Sequence, residues 1–167
     1  MESLKKDFLE ILSNYQGIIH KICLVYFRTE TDRQDNFQEV VYQLWRSFPK
    51  LEDKRKIGSW MYNIAINTSI SKIRTDSRFI AQESFPDSQQ GLDPHKGMDK
   101  KEDMEILLEA IHRLNDLDKS LMLLYLEERS YEEIAEILGI SKSNVGTRIN
   151  RAKNELKIQL NRLSHGR

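Results

Sequence analysis

Apolar residues recur every three or four positions through most of this chain, and that spacing predicts α-helices. The first predicted helix has an apolar stripe of about five turns, made of Phe8, Ile11, Leu12, Tyr15, Ile18, Ile19, Ile22 and Val25. A second helix is predicted after the polar segment TETDRQD, whose acidic residues suit a helix N-terminus, and it ends at Pro49. Its apolar stripe contains Phe37, Val40, Val41, Leu44, Trp45 and Phe48.

A third predicted helix follows the charged loop 49–58 and runs to about Thr75. It has two apolar stripes on nearly opposite sides. The first stripe contains Ile57, Trp60, Met61, Ile64 and Ala65, and the second contains Ile66, Ile70 and Ile73. Because a helix that is apolar on two sides usually packs between neighbours, we expect this helix to lie at the centre of an N-terminal bundle.

Helical periodicity is lost between Asp76 and Asp103, where two prolines and two glycines interrupt a polar, acidic stretch. This composition predicts a flexible linker at residues 76–103, between an N-terminal domain at 1–75 and a C-terminal domain at 104–167. Helical stripes resume in the C-terminal domain, which we expect to contain four helices. The predicted fold class is therefore all-α, with two small helical domains.

The segment Ser130–Lys157 predicts a helix–turn–helix. Ser130 followed by Glu133 is a capping-box pattern at the start of a short amphipathic helix. Gly139 is placed to end that helix in the left-handed conformation, and Ser141 is placed to cap the next one. Two short helices joined by a three-residue turn, with the second polar and basic outside, fit the DNA-binding form of this motif. The alternative is an ordinary helical hairpin with a solvated basic face.

The second helix of this motif separates an inner stripe from an outer polar arc. The inner stripe contains Val145, Ile149, Ala152 and Leu156, and the outer side contains Ser143, Asn144, Thr147, Arg148, Asn150, Arg151 and Asn154. Residues near the start of a recognition helix usually contact bases, so Ser143, Asn144 and Thr147 are the candidates for base contacts. The candidate phosphate contacts are Arg151 and Lys153, while Arg148 is placed for either role. Lys142 completes the predicted DNA-binding set in this helix.

Charge is strongly segregated although the net charge is zero. Residues 1–75 contain 12 basic and 9 acidic side chains, and residues 76–103 contain 4 and 7. Residues 104–140 contain 3 basic and 9 acidic side chains, whereas residues 141–167 contain 7 and 1. Positive charge thus begins where the predicted recognition helix begins, as expected for a segment that contacts phosphates.

Several classes of protein are not indicated by this sequence. It has no glycine-rich phosphate loop, nucleophile elbow or paired-carboxylate motif, so we predict no enzymatic activity and no cofactor. His20 and Cys23 share a helix face, but two ligands without a nearby second pair argue against a metal site. A single cysteine, no signal-peptide pattern and no long apolar run predict a cytoplasmic protein without membrane insertion.

Three segments, in this order, resemble the bacterial sigma factors of the extracytoplasmic-function (ECF) type. DRQDNFQEVVYQLWRSF is similar to the helix by which this family binds RNA polymerase, and WMYNIAINTSISKIR is similar to its promoter-opening helix. LNDLDKSLMLLYLEERSYEEIAEILGIS, followed by NVGTRINRAKNEL, looks like its reader of the upstream promoter element. The resemblance covers nearly the whole chain and implies a sigma factor that directs core RNA polymerase to specific promoters and helps to open the DNA.

The resemblance also implies roles for residues in the N-terminal domain. The expected polymerase-binding residues are Asp35, Gln38, Glu39, Tyr42 and Gln43. The expected contacts to melted promoter DNA are Tyr62, Asn63, Asn67 and Arg74, together with Lys54, Arg55 and Lys56 of the loop. Tyr62 points away from the Trp60 stripe, so it is a candidate to stack on an unpaired base. Trp60 itself is expected in the core.

This sequence departs from the family pattern at a few positions. The family often has more arginine around Asn63, Ile66 and Ser69, so this chain is expected to make weaker phosphate contacts there. It often has lysine where this chain has Gly146, a residue that disfavours helix by about 1 kcal/mol relative to alanine. The resemblance further implies an anti-sigma protein as a partner. The competing hypothesis is a free-standing helix–turn–helix regulator with an N-terminal dimerisation or sensing domain.

Overall fold

The structure is a computed structural model that describes residues 1–80 and 100–165, and the side chains of residues 1–76 and 101–165 within them. These residues contain seven α-helices and two short 3-10 helices, and no strand. The α-helices are α1 (Glu2–Tyr26), α2 (Glu30–Ser47), α3 (Ile57–Ile80), α4 (Lys100–His112), α5 (Asp116–Leu126), α6 (Tyr131–Leu138) and α7 (Lys142–His165). The all-α fold class is confirmed.

Helices α1, α2 and α3 form a bundle in the N-terminal half, residues 1–80. Thr29 caps α2, where its side chain accepts a hydrogen bond from the backbone N–H of Asp32, and Pro49 lies in the 3-10 turn after α2. Phe8 holds one end of the bundle together, with ring centroids 5.1 Å from Trp45 and 5.4 Å from Phe48. Helix α2 therefore ends just before Pro49 as predicted, but it begins at Glu30, so most of the polar segment forms its first turns instead of preceding it.

Helix α3 is central to the fold. It packs against α1 and α2 on one side and against α6 on another. Met61 and Ala65 of the first apolar stripe are fully buried, as is Ile66 of the second. Trp60 is half-buried, and its ring centroid lies 6.2 Å from that of Phe48. The two stripes on α3 correctly predicted a helix between neighbours.

Helices α4, α5 and α6 all pack against α7 in the C-terminal half, residues 100–165. The four-helix prediction for this half is confirmed. Its buried side chains join those of the N-terminal half in one apolar cluster, because α1 packs against α4 and α5 and α3 packs against α6. The predicted linker lies largely outside the described residues, although α3 continues to Ile80 and α4 begins at Lys100.

Candidate nucleic-acid and polymerase interfaces

The predicted capping interactions build the helix–turn–helix. The Ser130 hydroxyl accepts a hydrogen bond from the Glu133 N–H at 3.1 Å, and the Ser141 hydroxyl accepts one from the Asn144 N–H at 3.1 Å. Gly139 takes the left-handed conformation (φ 68°, ψ 32°), and its N–H bonds to the carbonyl of Ala135. These local interactions fix where α6 ends and where α7 begins, so they set the direction in which α7 projects.

The inner and outer sides of α7 are as the sequence predicted. Val145, Ile149 and Ala152 are completely buried, and Leu156 is 7% exposed. Among the candidate DNA contacts, Ser143, Asn144, Thr147 and Arg151 are exposed on the opposite side. Arg148 is exposed at the edge of that side, and Lys142 is exposed at the first residue of the helix. A continuous polar and basic face is therefore available along the first three turns of α7, and it suits the major groove of DNA.

Lys153 does not lie on this face. It is half-buried, and its ammonium nitrogen lies 4.0 Å from the centroid of the Tyr125 ring on α5. At about 100° per residue, Lys153 lies roughly 200° around α7 from Arg151. The structure thus separates two residues that the sequence analysis paired as phosphate contacts. Lys142 is exposed, but its ammonium group pairs with Glu132 of α6 at 3.0 Å.

Gly146 is the one departure from the family pattern that lies on the recognition helix. A Cβ at this position would lie 3.6 Å from Cε2 of Tyr131, which is ordinary van der Waals contact. No positive φ is found there, since among the described glycines only Gly139 has one. Neither the packing nor the backbone within the chain therefore requires glycine at position 146.

The predicted polymerase-binding residues share the outer face of α2. Asp35, Gln38 and Glu39 are exposed, and Tyr42 is 54% exposed. Gln43 is half-buried and donates a hydrogen bond to the Glu39 carboxylate at 3.0 Å. The opposite face of the helix buries Val40 and Leu44 completely. Since the acidic and amide groups make no contribution to the core, the face is free to bind another protein.

An apolar groove borders this face. It has a volume of about 620 Å³ and lies between the first turns of α1 and the middle of α2. The buried Phe8 and the half-buried Trp45 line this groove, as do the exposed Leu9 and Tyr42. Gln38, one of the predicted polymerase contacts, also lines the groove. Polar and apolar surface thus lie side by side on α2.

The residues predicted to contact melted DNA fall into two groups. The exposed group contains Lys54, Arg55, Lys56, Asn67 and Arg74. Tyr62 and Asn63 belong to the other group, because they face the C-terminal half. Tyr62 is only 1% exposed, and the guanidinium carbon of Arg129 lies 5.1 Å from its ring centroid. The expectation that Tyr62 is open for stacking is therefore wrong for this conformation, since α3 packs against α6 there.

Asn63 is also engaged by the C-terminal half. Its side-chain amide donates a hydrogen bond of 2.7 Å to the backbone carbonyl of Ile137, near the end of α6. Ile66 and Ser69, where the family often has arginine, are 2% and 0% exposed. Both side chains are therefore buried in this conformation, and neither presents a polar group to solvent. Weaker phosphate contact at these positions stays a prediction.

The loop before α3 is organised by Asp53. Its carboxylate accepts hydrogen bonds from the backbone N–H of Arg55 at 3.0 Å and from the Arg55 guanidinium at 3.1 Å, and these bonds lower the pKa of Asp53. The Lys56 ammonium pairs with Glu136 of α6 at 2.9 Å, and the pKa of Lys56 is raised by this carboxylate. The loop therefore presents Lys54 and Arg55 outward, while Lys56 is tied to α6.

A buried polar cluster was missed from the sequence. Asn36 is fully buried, and its amide group donates hydrogen bonds to Ser69 at 2.8 Å and to the Cys23 sulfur at 3.4 Å. Burial raises the pKa of the Cys23 thiol. The signal was available, because Asn36 lies four residues before Val40 on the apolar stripe of α2. His20 is separate from this cluster and stacks on Phe37 at 4.6 Å.

A bundle with an exposed acidic helix face, joined to a helix–turn–helix with an exposed basic face, defines an all-α DNA-binding protein of transcription. Each half of the chain matches a known family of transcription proteins. The family described as "Sigma-70 region 2" matches residues 11–79, and the one described as "Sigma-70, region 4" matches residues 104–156. The chain belongs to the RNA polymerase sigma factors of the ECF type. It is a factor that binds core RNA polymerase and directs promoter-specific transcription.

Curated relatives extend over most of the chain. The RNA polymerase sigma factor YlaC of Bacillus subtilis is 31% identical over 150 residues, which is 86% of this chain and 85% of the relative. The ECF RNA polymerase sigma-E factor of Haemophilus influenzae is 30% identical over 169 residues, with coverage of 93% and 89%. The ECF sigma factor SigW of Bacillus subtilis is 27% identical, with coverage of 92% and 88%.

Two solved structures show the same fold. One is the sigma factor RpoE in complex with the anti-sigma factor NepR from Bartonella quintana, with a TM-score of 0.72, 20% identity and coverage of 96% of this chain and 98% of that one. The other is CnrH in complex with the cytosolic domain of CnrY, with a TM-score of 0.64, 18% identity and coverage of 94% and 89%. Within residues 1–80 and 100–165, no helix is long and apolar enough to cross a membrane.

Proposed function

We propose that this sigma factor docks on core RNA polymerase through the exposed face of α2. This proposal rests on the two different faces of α2, one exposed and polar and the other buried and apolar. Asp35, Gln38 and Glu39 are exposed, whereas Val40 and Leu44 are completely buried on the opposite side. Tyr42 and the apolar groove beside it add an exposed aromatic surface, which is the kind of anchor that protein interfaces favour.

We infer that promoter recognition is divided between the halves. The exposed face of α7 is suited to duplex DNA of the upstream element, with Ser143, Asn144 and Thr147 near the helix start for bases and Arg151 for phosphate. The melted strand is assigned to α3 and the loop before it. Lys54 and Arg55 meet its phosphates, while Asn63, Asn67 and Tyr62 contact its bases once the C-terminal half has moved away.

We also propose an anti-sigma protein as a regulatory partner, because both structural matches are described as complexes with such a protein or with a cytosolic domain that binds the factor. The work of the factor is binding and positioning, and the catalytic chemistry belongs to the polymerase. Since core polymerase and chromosomal DNA are in the bacterial cytoplasm, the protein acts there. The domain division at 1–75, 76–103 and 104–167 is part of the same proposal.

The docking face is tested by charge reversal. A double variant with Asp35→Lys and Glu39→Lys should lose binding to core polymerase in a titration followed by fluorescence anisotropy. Both side chains are exposed, so the melting temperature should change little. The matched control is Asp76→Lys with Asp103→Lys, which changes the net charge equally at exposed positions elsewhere. Equal loss of binding in both double variants would show a general charge effect and refute the assignment of α2.

A further inference from the structure

An ion pair connects the two helices of the helix–turn–helix. The ammonium nitrogen of Lys142, the first residue of α7, lies 3.0 Å from a carboxylate oxygen of Glu132, the second residue of α6. The ammonium group also donates a hydrogen bond to this carboxylate. The pair therefore holds a cation of the recognition helix against an anion of the helix before it.

Stability of the fold does not account for a lysine at this position. The side chains of Lys142 and Glu132 are 63% and 76% exposed, and ion pairs so open to water contribute little to folding. A cation at a helix N-terminus is also opposed by the positive end of the helix dipole. Helix α7 has no acidic residue in its first turn to offset this effect. Lys142 therefore suits a role in binding better than a role in folding.

The neighbouring Glu133 has a different role from Glu132. Its backbone N–H bonds to the Ser130 hydroxyl, and its carboxylate pairs with the Arg129 guanidinium at 3.3 Å. Glu133 thus completes the start of α6, whereas Glu132 is directed across the turn to α7. The two adjacent glutamates are not interchangeable, and only the first one acts on the recognition helix.

The other exposed cations at the start of α7 differ from Lys142. Within the described part of the chain, neither Arg148 nor Arg151 makes an ion pair, so both present a full positive charge. Lys142 and Glu132 together carry no net charge. Electrostatic forces reach about 10 Å at about 0.1 M salt, so a phosphate that approaches Lys142 also meets the Glu132 carboxylate. The pair therefore adds little to the attraction for DNA of any sequence.

The held ammonium group is still able to bind a base. A lysine ammonium has three N–H donors, and one of them is directed to Glu132. Guanine presents two acceptors, N7 and O6, in the major groove. A neutral base edge is not repelled by the Glu132 carboxylate as a phosphate is. The remaining donors of Lys142 are thus better suited to guanine than to the DNA backbone.

We propose that Glu132 positions Lys142 to read a guanine in the upstream promoter element and prevents it from binding the phosphates of unrelated sequences. Lys142 is then a specificity-determining residue, and Glu132 is the positioning residue that acts through it. This inference rests on the proposed binding of duplex DNA by α7. Removal of the Glu132 carboxylate should strengthen binding to DNA in general and reduce discrimination between sequences.

The test uses holoenzyme reconstituted from core polymerase and the full chain. It is titrated with two short fluorescein-labelled duplexes, a random-sequence pool and the duplex that the parent holoenzyme selects from that pool. Glu132→Gln should lower Kd for the pool about three- to eightfold at about 0.1 M salt, because Lys142 becomes free to neutralise one phosphate. The slope of log affinity against log salt concentration should steepen by about 0.9. Kd for the selected duplex should change by less than about twofold, since Lys142 already binds its guanine there.

Two further variants serve as controls. Asp103→Asn removes the same charge at an exposed site on α4, outside the helix–turn–helix, and should leave both the slope and the discrimination unchanged. The double variant Glu132→Gln, Lys142→Gln should restore the slope of the parent, because no additional cation is released. In selection from the random pool, this double variant should lose the preference for guanine at one base pair.

The outcomes separate this inference from the function on which it rests. If Glu132→Gln leaves the slope unchanged, or weakens binding to both duplexes equally, the carboxylate has only a structural role and the inference is overturned. The same conclusion follows if the double variant keeps every base preference of the parent. Arg151→Ala tests the surface itself and should weaken binding to both duplexes. If it leaves both Kd values unchanged, the assignment of α7 to duplex DNA fails instead.

Discussion

Replacement of Gly146 by alanine should stabilise this sigma factor. Gly146 lies inside α7, where glycine is less favourable than alanine by about 0.8–1 kcal/mol. The added Cβ would lie 3.6 Å from the Tyr131 ring, so it needs no movement of a neighbour. Part of the gain comes from the unfolded chain, which loses conformational freedom when glycine is replaced. We expect the free energy of unfolding to rise by about 0.5–1 kcal/mol.

The assay is urea unfolding followed by circular dichroism, with two glycine variants as references. Gly139→Ala should have the opposite sign, because Gly139 has a φ of 68° and the left-handed conformation costs alanine about 1–2 kcal/mol. Gly17→Ala, at an exposed site in α1 with nothing within 4 Å of the added Cβ, should stabilise by about the same amount as Gly146→Ala. A clear loss of stability in Gly146→Ala, with Gly17→Ala stabilising, would refute the reasoning about space at Tyr131.

The same variant has a functional consequence. Around the axis of the recognition helix, position 146 lies at the border between two sides. The outer side carries Ser143 and Thr147, and the inner side carries the buried Val145. If the DNA backbone needs to approach the helix closely there, Gly146→Ala should bind the upstream promoter element more weakly while being more stable. Unchanged binding would show that the glycine has no role in DNA contact. The two measurements together separate a folding effect from a recognition effect.

Three further predictions concern the C-terminal half. Ile149→Ala should destabilise the protein by about 2–5 kcal/mol in urea unfolding, because Ile149 is completely buried in the apolar core. A loss below about 1 kcal/mol would contradict this packing. His112 donates a hydrogen bond from Nε2 to the carbonyl of Leu24 at 2.7 Å, and burial lowers the pKa of His112 from the ordinary 6.5. Its contribution to stability is therefore fully present above pH 6.5, and the free energy of unfolding should fall as the pH drops below that value. A His112→Gln variant that keeps this loss at acid pH would exclude His112 as its cause. Arg151→Ala should reduce the slope of log affinity for the upstream element against log salt concentration by about one unit. Lys153→Ala should leave this slope unchanged, because the Lys153 ammonium group lies over the Tyr125 ring. Equal slopes in both variants would count against this distinction.

The sequence determined the helices and the helix–turn–helix of this protein. The spacing of Val145 and Ile149 places both on the inner side of α7, where packing of the other helices buries them. Capping by Ser130 and Ser141 and the left-handed Gly139 follow from interactions within a few residues along the chain. Such interactions depend on residue type and spacing, which the sequence gives directly. The sequence pattern also predicted the outer faces of α7 and α2, since the exposed side of an amphipathic helix is opposite its apolar stripe.

Only the tertiary structure decided what covers the faces of α3. Periodicity showed that Tyr62 lies away from Trp60, but it could not show that Arg129, 67 positions later, covers the Tyr62 ring. The same holds for Lys153, which is directed to Tyr125 by the packing of α5 on α7. A helical pattern specifies a direction around one axis, whereas the neighbour in that direction depends on how distant segments pack. The contact between the two halves, and with it the state of the DNA-opening residues, is therefore a property of the folded chain.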